Sequence, residues 1–353
     1  MRRSPVSALS LLAVCSLVGS LAGCSLIPGS SSDLEDALEV VPADATSVTF
    51  VGRAAIAERL DVEVETGADD RELGRYLQAV DEAGVATRLT SYLGVMGDAA
   101  LSDADIVWEV SGSGQDDEGL WTVWKTDDDL DLDEVGDDLV DAGYDESETG
   151  GERRFRAELA AADPETSLVG DRYPVAVMGD VVLVPDEHLV LTGPAVEATL
   201  DVVQDDEDSL VDGQDFEDVV NAVDDAEFAH LRRDIDCGAV QGRRSPPTPD
   251  PTLEGLARPE ATGFFVHGDD AETTTVLAFE DDDTAEADAE ARGAWLEDGL
   301  LLQSQRPVAD VATWDIEHDG SLVRIDEDLK GGVRFGIELA LADDGFTRCA
   351  PEG

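Results

Sequence analysis

The sequence predicts a mixed α+β fold made of two diverged β-α-β-β units with largely antiparallel sheets. Three observations predict it. Short apolar runs bounded by Gly, Asp and Ser read as strands, and "DIVWEVS" (105–111) and "GLWTVWKT" (119–126) flank a Gly/Ser/Asp turn as a hairpin would. Stretches with helical spacing stand between such runs. One pattern also recurs. "TVWKTDDDLDLDEVGDDLVDAG" from Thr122 and "TVLAFEDDDTAEADAEARGAWLEDG" from Thr275 each give an apolar strand, an Asp triplet, a helical stretch and a closing Gly.

In chain order, Asp33 is placed to cap a short helix that Pro42 stops, and Ser47–Val51 reads as the first strand. Leu73, Tyr76, Leu77 and Val80 recur at i, i+3, i+4 and i+7, which predicts an amphipathic helix. Val85, Leu89, Leu93 and Met96 predict a second one, ended by Gly97. In the hairpin that follows, Trp108, Trp121 and Trp124 are expected to pack across the strands; lining a binding groove is their other use. The first Asp-triplet unit runs on into the strands of "YPVAVMGDVVLVPDEHLVLTG" (173–193), the second into "VATWDIEHDGSLVRI" (311–325). "QGRRSPPTPDPTLEGLARPEATG" (241–263) lies between them and reads as a linker or long surface loop. The expected organisation is a leader over 1–23, a flexible tether over 24–36, an N-terminal α+β domain over 37–240, a linker over 241–262 and a C-terminal α+β domain over 263–353.

The chain holds 82 acids against 23 bases, a net charge of −59. Like charges repel along a nucleic-acid backbone, so nucleic acid is excluded as a partner. Electrostatic attachment to anionic lipid calls for basic segments, so the charge argues against it as well. A hydrophobic fraction of 42% separates the chain from a disordered acidic tail. Lysine occurs only at Lys125 and Lys330 and asparagine only at Asn221, which fits GC-rich, actinobacterial coding; a salt-rich, haloarchaeal habitat is the other source of so many acids. Self-repulsion at this charge density destabilises the fold at low ionic strength. The melting temperature is therefore expected to rise from dilute buffer to molar salt, and a flat thermal-melt profile overturns that expectation.

The start of the chain supplies an address. Arg2 and Arg3 precede an uncharged apolar run from Pro5 to Ala22, whose length and flanks suit a secretory signal. The run ends in Leu21-Ala22-Gly23-Cys24, and a Ser/Gly tract follows. This resembles the lipobox of bacterial lipoproteins. The resemblance implies that the Cys24 thiol receives a diacylglycerol, that the Gly23–Cys24 bond is cut, and that acyl chains such as palmitate hold the protein on the outer, extracytoplasmic face of the cell membrane. Two or three chains give firm attachment where one gives only marginal binding. The reading without a lipobox is an ordinary secretory signal with a cysteine near its cut. Once Cys15 leaves with the leader and Cys24 is acylated, Cys237 and Cys349 are the thiols left in an oxidising compartment. A disulfide between them is one reading, and two free buried thiols the other.

A second resemblance covers about half of the mature chain. "VVLVPDEHLVLTGPAVEATLDVV" (181–203) and "SLVDGQDFEDVVNAV" (209–223), with Ser209, Leu210, Asp212, Asp215 and Phe216, resemble the repeated units of an uncharacterised group of bacterial extracytoplasmic α+β domains. It implies a fold and no catalytic residue.

Chemistry-bearing patterns are sparse. Asp129, Asp131 and Asp133 alternate as an EF-hand loop begins, but Glu134 stands where that loop needs glycine and Val140 where it needs its closing Glu. Helix capping explains these acids, and Asp281–Asp283 in the second copy, without a metal. His188, His230, His267 and His318 lack the i, i+4 spacing of a zinc helix. His267 near Asp269 and Asp270, and His318 beside Asp319, are the pairs available for acid–base chemistry. No G-x-S-x-G elbow or phosphate loop is present. The arginine pairs 153–154, 232–233 and 243–244 either neutralise neighbouring acids or bind an anionic polymer or headgroup. No catalytic, cofactor or metal residue is assigned, and no convergent polar cluster is visible. The functional expectation is a non-enzymatic binding or scaffold lipoprotein with an envelope protein or cell-wall partner. The alternatives are a solute-binding lipoprotein of a transporter and a cell-envelope hydrolase.

Overall fold

The computed structural model describes residues 32–62, 64, 68–114, 119–158, 167–212, 214–223, 225–237, 253–267, 272–301 and 304–350. The leader, Gly23, Cys24 and the tether as far as residue 31 lie outside the described residues, as do most of the expected linker, Asp269 and Asp270.

Helix α1 (Asp33–Leu38) begins inside the stretch expected to be tether. Its cap is Ser32, not Asp33. The Ser32 hydroxyl accepts from the Glu35 N–H at 3.2 Å, and the Glu35 carboxylate accepts from the Ser32 N–H at 3.1 Å. Asp33 sits in the first turn, where its charge opposes the helix dipole. Strand β1 (Ala45–Val51) and helix α2 (Arg53–Arg59) follow, then α3 (Asp70–Ala83), the expected amphipathic helix. Gly84 ends α3 at a φ of +74°, where an added Cβ would come within 2.6 Å of the Arg334 Cα. The helix expected over 85–96 does not form; a single 3-10 turn, Thr90–Tyr92, stands there instead. Val85, Leu89, Leu93 and Met96 are buried all the same. The Thr87 and Thr90 hydroxyls turn inward to the buried Asp103 carboxylate and tie the chain into turns, and Gly94 and Gly97 weaken any helix through it.

The hairpin β2 (Ile106–Gly114) and β3 (Leu120–Thr126) forms where expected. Its tryptophans do not share one face. Trp108 and Trp121 enter one core and Trp124 the core on the other side of the sheet, because residues 121 and 124 differ in strand parity. Trp121 stands opposite Gly112, where an added Cβ would lie 2.6 Å from its ring. All three rings are buried.

Helix α4 (Leu132–Ala142) carries the first Asp-rich start. Asp131 caps it, accepting from the Asp133 N–H at 3.0 Å, while Asp127 of the triplet closes the preceding turn through the Asp129 N–H at 2.9 Å. A hairpin that the sequence reading missed comes next, β4 (Asp145–Thr149) and β5 (Glu152–Arg156). Its strands are charged or hydroxylated except at Phe155, so it shows no apolar alternation. Then come β6 (Leu168–Val169), β7 (Tyr173–Pro174), α5 (Val175–Met178), β8 (Asp180–Val184), β9 (Leu189–Thr192), α6 (Val196–Val203), α7 (Gln214–Asn221) and β10 (Ala226–Arg233). The second copy starts with β10 and continues with β11 (Ala261–His267), β12 (Glu272–Ala278), α8 (Asp282–Asp298), α9 (Val308–Val311), β13 (Ala312–Asp319), β14 (Leu322–Leu329) and α10 (Val333–Leu341). Here the triplet itself caps: Asp281 accepts from the Thr284 N–H at 2.8 Å.

The described strands except β6 and β7 form one 12-stranded antiparallel sheet, in the order β13-β14-β12-β11-β10-β1-β2-β3-β9-β8-β5-β4. Read outward from its middle, β1-β2-β3-β9-β8 matches β10-β11-β12-β14-β13, and β4–β5 is an addition outside β8. The duplication is thus two strands longer at its start than the sequence pattern shows. The two copies do not keep separate sheets. They join edge to edge through β1 and β10, whose register centres on Thr49 opposite His230. This pairing removes an exposed edge from each half, and the sheet continues across the expected linker because β10 pairs with β11. Residues 32–353 accordingly fall in one unit.

Both faces are covered. One carries a core of Val48, Phe50, Trp108, Val110, Leu191 and Phe265 under α1, α6 and α7. The other carries three cores, under α4, under α2 with α10, and under α8 with α9. Beneath α8, Arg292 and Asp288 are fully buried and paired at 2.7 Å. Arg292 also donates to the carbonyls of Phe346 at 2.7 Å and Arg348 at 2.9 Å, which anchors the C-terminal segment. Next to that anchor, Cys349 is joined to Cys237 by a disulfide with Cα atoms 5.1 Å apart. No described helix is long and apolar enough to cross a membrane.

Candidate functional site

Strand β14 reads Val323, Ile325, Glu327, Leu329 along one face, so a carboxylate occupies a core position. Its register sets Glu327 between Trp314 of β13 and Thr273 of β12. Glu327 is 7% exposed. Neither of its carboxylate oxygens has a hydrogen-bond partner among the described residues, and neither does the neighbouring Thr275 hydroxyl. The Thr273 hydroxyl is given to the Glu327 backbone carbonyl at 2.9 Å. Burial pushes the Glu327 carboxyl up to about 8, against some relief from the nearby Thr275 and Thr273 hydroxyls. Glu327 lines a cavity of about 660 Å³ that opens where β12, β14 and β13 meet the start of α10. That volume lies within the range of small-molecule sites.

On the opposite face of the same strands a polar chain runs sideways. His267 Nε2 lies 2.9 Å from the Thr274 hydroxyl, and that hydroxyl is 2.7 Å from Asp326 Oδ1. Arg324 holds Asp326 at 3.0 Å and donates to the Ala222 carbonyl at 2.7 Å. His267 is therefore engaged by Thr274 and, through it, Asp326, a partner outside the expected Asp269 and Asp270. His318 is exposed on β13. His230 is buried against Thr49, with its ring pKa lowered to about 4 by burial and by the charge of Arg232. His188 sits in the β8–β9 turn at a φ of 51°.

The structure also holds a convergent polar cluster that the sequence reading missed. Asp103 is fully buried and accepts from the Tyr76 hydroxyl at 2.7 Å, the Thr90 hydroxyl at 2.8 Å and the Thr87 hydroxyl, with Arg53 Nε at 3.8 Å. Nearby Glu109 accepts from Trp124 Nε1 at 2.6 Å and the Arg88 N–H at 2.8 Å. Burial lifts the Glu109 carboxyl to about 7, and its two donors hold it from going higher. Unlike Glu327, both carboxylates have hydrogen-bond donors, and they tie α2, α3 and the 87–105 turns to the sheet. The signal for Glu327 is a glutamate in step with apolar residues on a buried strand face; Glu109 shows only as a charge set between Trp108 and Val110 of an apolar strand. For Asp103 no local pattern gives it away, because its donors lie 13 to 27 residues off.

The described arginine pairs are committed to their own chain. Arg153 meets Asp133, Asp137 and Glu146 at 3.5, 3.1 and 2.8 Å. Arg154 meets Asp180 at 2.7 Å and also Glu197, and Arg232 meets Asp343. Arg233 donates to the Ala43 carbonyl at 2.5 Å. Arg243 and Arg244 lie outside the described residues. Ser209 and Asp212 hold each other at 2.9 Å ahead of α7, where Phe216 is buried. Among the described residues no group of three or more His, Cys, Asp or Glu side chains is arranged to hold a metal ion.

Fold and site together define a mixed α+β protein with a duplicated antiparallel sheet and an acidic cavity near one of its edges. No family model matches the chain and no curated protein matches it in sequence. Among solved structures it is similar to crystal form III of TP0453, with 11% identity, a TM-score of 0.43, and 87% of this chain and 98% of that chain covered. Crystal form IV gives 11% identity, a TM-score of 0.43, and coverage of 86% and 96%. Crystal form I gives 10%, 0.39, and 87% and 97%. Likeness at this level carries no functional argument.

Proposed function

We propose that this chain is a lipid-anchored, extracytoplasmic protein that acts by binding rather than by catalysis. The anchor is the acylated Cys24, and the folded body from Ser32 stands outside the cell membrane. The carrying observation is the order of the first residues, an uncharged apolar run closing on Leu21-Ala22-Gly23-Cys24. The Cys237–Cys349 disulfide supports an oxidising compartment. The described arginine pairs and the Asp103–Glu109 cluster are engaged in internal contacts, which fits a binding body better than a hydrolase. The cavity at Glu327 favours a second form of the same reading, a solute-binding lipoprotein.

Radiolabelled palmitate fed to cells expressing the full chain is expected to label the protein and to fractionate with membranes. Cys24→Ala is expected to lose the label and the membrane association together. Mass spectrometry of the N-terminal peptide reads the same point. An unmodified Cys24, or a retained leader, overturns the anchor and the location with it.

A further inference from the structure

The geometry points to the cavity beside Glu327 as a binding site for a small organic cation, an ammonium group carried on an apolar body. This names a ligand class for the binding role proposed above, and it can fail without touching the anchor. The first ground is charge. Glu327 lines the cavity, Glu272, Asp315, Asp326 and Asp328 border it from the opposite face of the same strands, and the one cation among these lining residues, Arg324, is already held by Asp326 and a backbone carbonyl. The second ground is independent of the acid count. Glu327 is more than nine-tenths buried, lines the cavity, and has both carboxylate oxygens unpaired, with an unpaired Thr275 hydroxyl beside it. An unpaired buried carboxylate is costly, and the other carboxylates buried among the described residues, Asp103, Glu109, Glu227, Asp288 and Asp344, all have donors. An ammonium group seated in the cavity supplies the missing donor and the missing charge at once.

The rest of the lining fits an organic cation better than a metal ion. Trp314 is half-buried next to Glu327 in register and offers an aromatic face, which attracts ammonium groups. Leu329 and Val333 add apolar surface for the body of the ligand. The described acids do not converge as a metal set.

The test is calorimetric titration of the full-length protein in detergent with hexylammonium chloride, and with choline chloride as the quaternary form, at about 0.15 M salt so that diffuse attraction is screened. Saturable one-to-one binding is expected. Glu327→Gln is expected to weaken it about tenfold or more, Trp314→Leu about fivefold, and the exposed Glu272→Gln only about two- to threefold. Glutamine keeps the shape of the carboxyl and has no proton to lose, so the variant stays folded and its loss of binding is interpretable. Failure of both ammonium probes to saturate, equal binding by Glu327→Gln, or calcium binding that Glu327→Gln abolishes in place of ammonium binding each overturns the proposal. None of these results moves the palmitate label.

Discussion

Glu327→Gln is expected to stabilise this protein by on the order of 4–5 kcal/mol above about pH 8 and to change little near pH 4.5. Removing a charge seldom helps this much. Here the native carboxyl holds its proton up to about 8, while in the unfolded chain it loses it near the ordinary 4.5. Between those values the unfolded state binds fewer protons, so raising the pH draws the equilibrium toward unfolding. The native state therefore loses stability from about pH 4.5 to 8 and levels off above. Glutamine keeps the shape of the protonated acid and has no proton to lose. Denaturant unfolding of both proteins across that pH range checks it. Curves that diverge with rising pH are the expected result. Parallel curves would mean that Glu327 is ionised and paired in the folded state. Glu109 contributes a smaller slope of the same sign in both proteins, since its carboxyl is lifted to about 7, and it cancels in the difference.

Replacing Cys237 and Cys349 by serine is expected to cost about 4–5 kcal/mol of stability, because the bridge spans 112 residues and the chain-entropy cost of closing a loop that long is of this size. The native structure at the C-terminal end is expected to persist in the variant. Arg292 holds the Phe346 and Arg348 carbonyls from a fully buried position that does not depend on the sulfurs. The loss therefore falls on the unfolded ensemble. It should appear as a lower denaturation midpoint with near-native circular dichroism and little change in ligand titration. A variant that loses the fold of residues 333–350 altogether would show that the bridge, and not the Arg292 anchor, organises this end.

The legibility of the fold follows the range of the forces involved. The hairpin at 106–126, the amphipathic helix over 70–83 and the Asp-capped helices at 132 and 282 rest on contacts within a few residues, and each was visible as spacing or as a cap. Over 85–97 the spacing predicts a helix where turns form, because burial follows the same spacing there while the backbone answers to Asp103. The β4–β5 hairpin escaped because its charged faces give no alternation.

By itself the sequence determined the mixed α+β class, the doubled strand–helix–strand pattern, the acidity and the burial of most apolar positions, because periodicity and composition are properties of short windows. Only the tertiary structure decided that the two copies share one sheet through β1 and β10, and that Trp124 faces away from Trp108 and Trp121. Strand pairing across 181 residues leaves no local mark. It alone decided, too, that Glu327 is left without a donor inside a cavity. A lone glutamate in an apolar alternation shows in the sequence, but whether a partner reaches it depends on which strands and helices close around it.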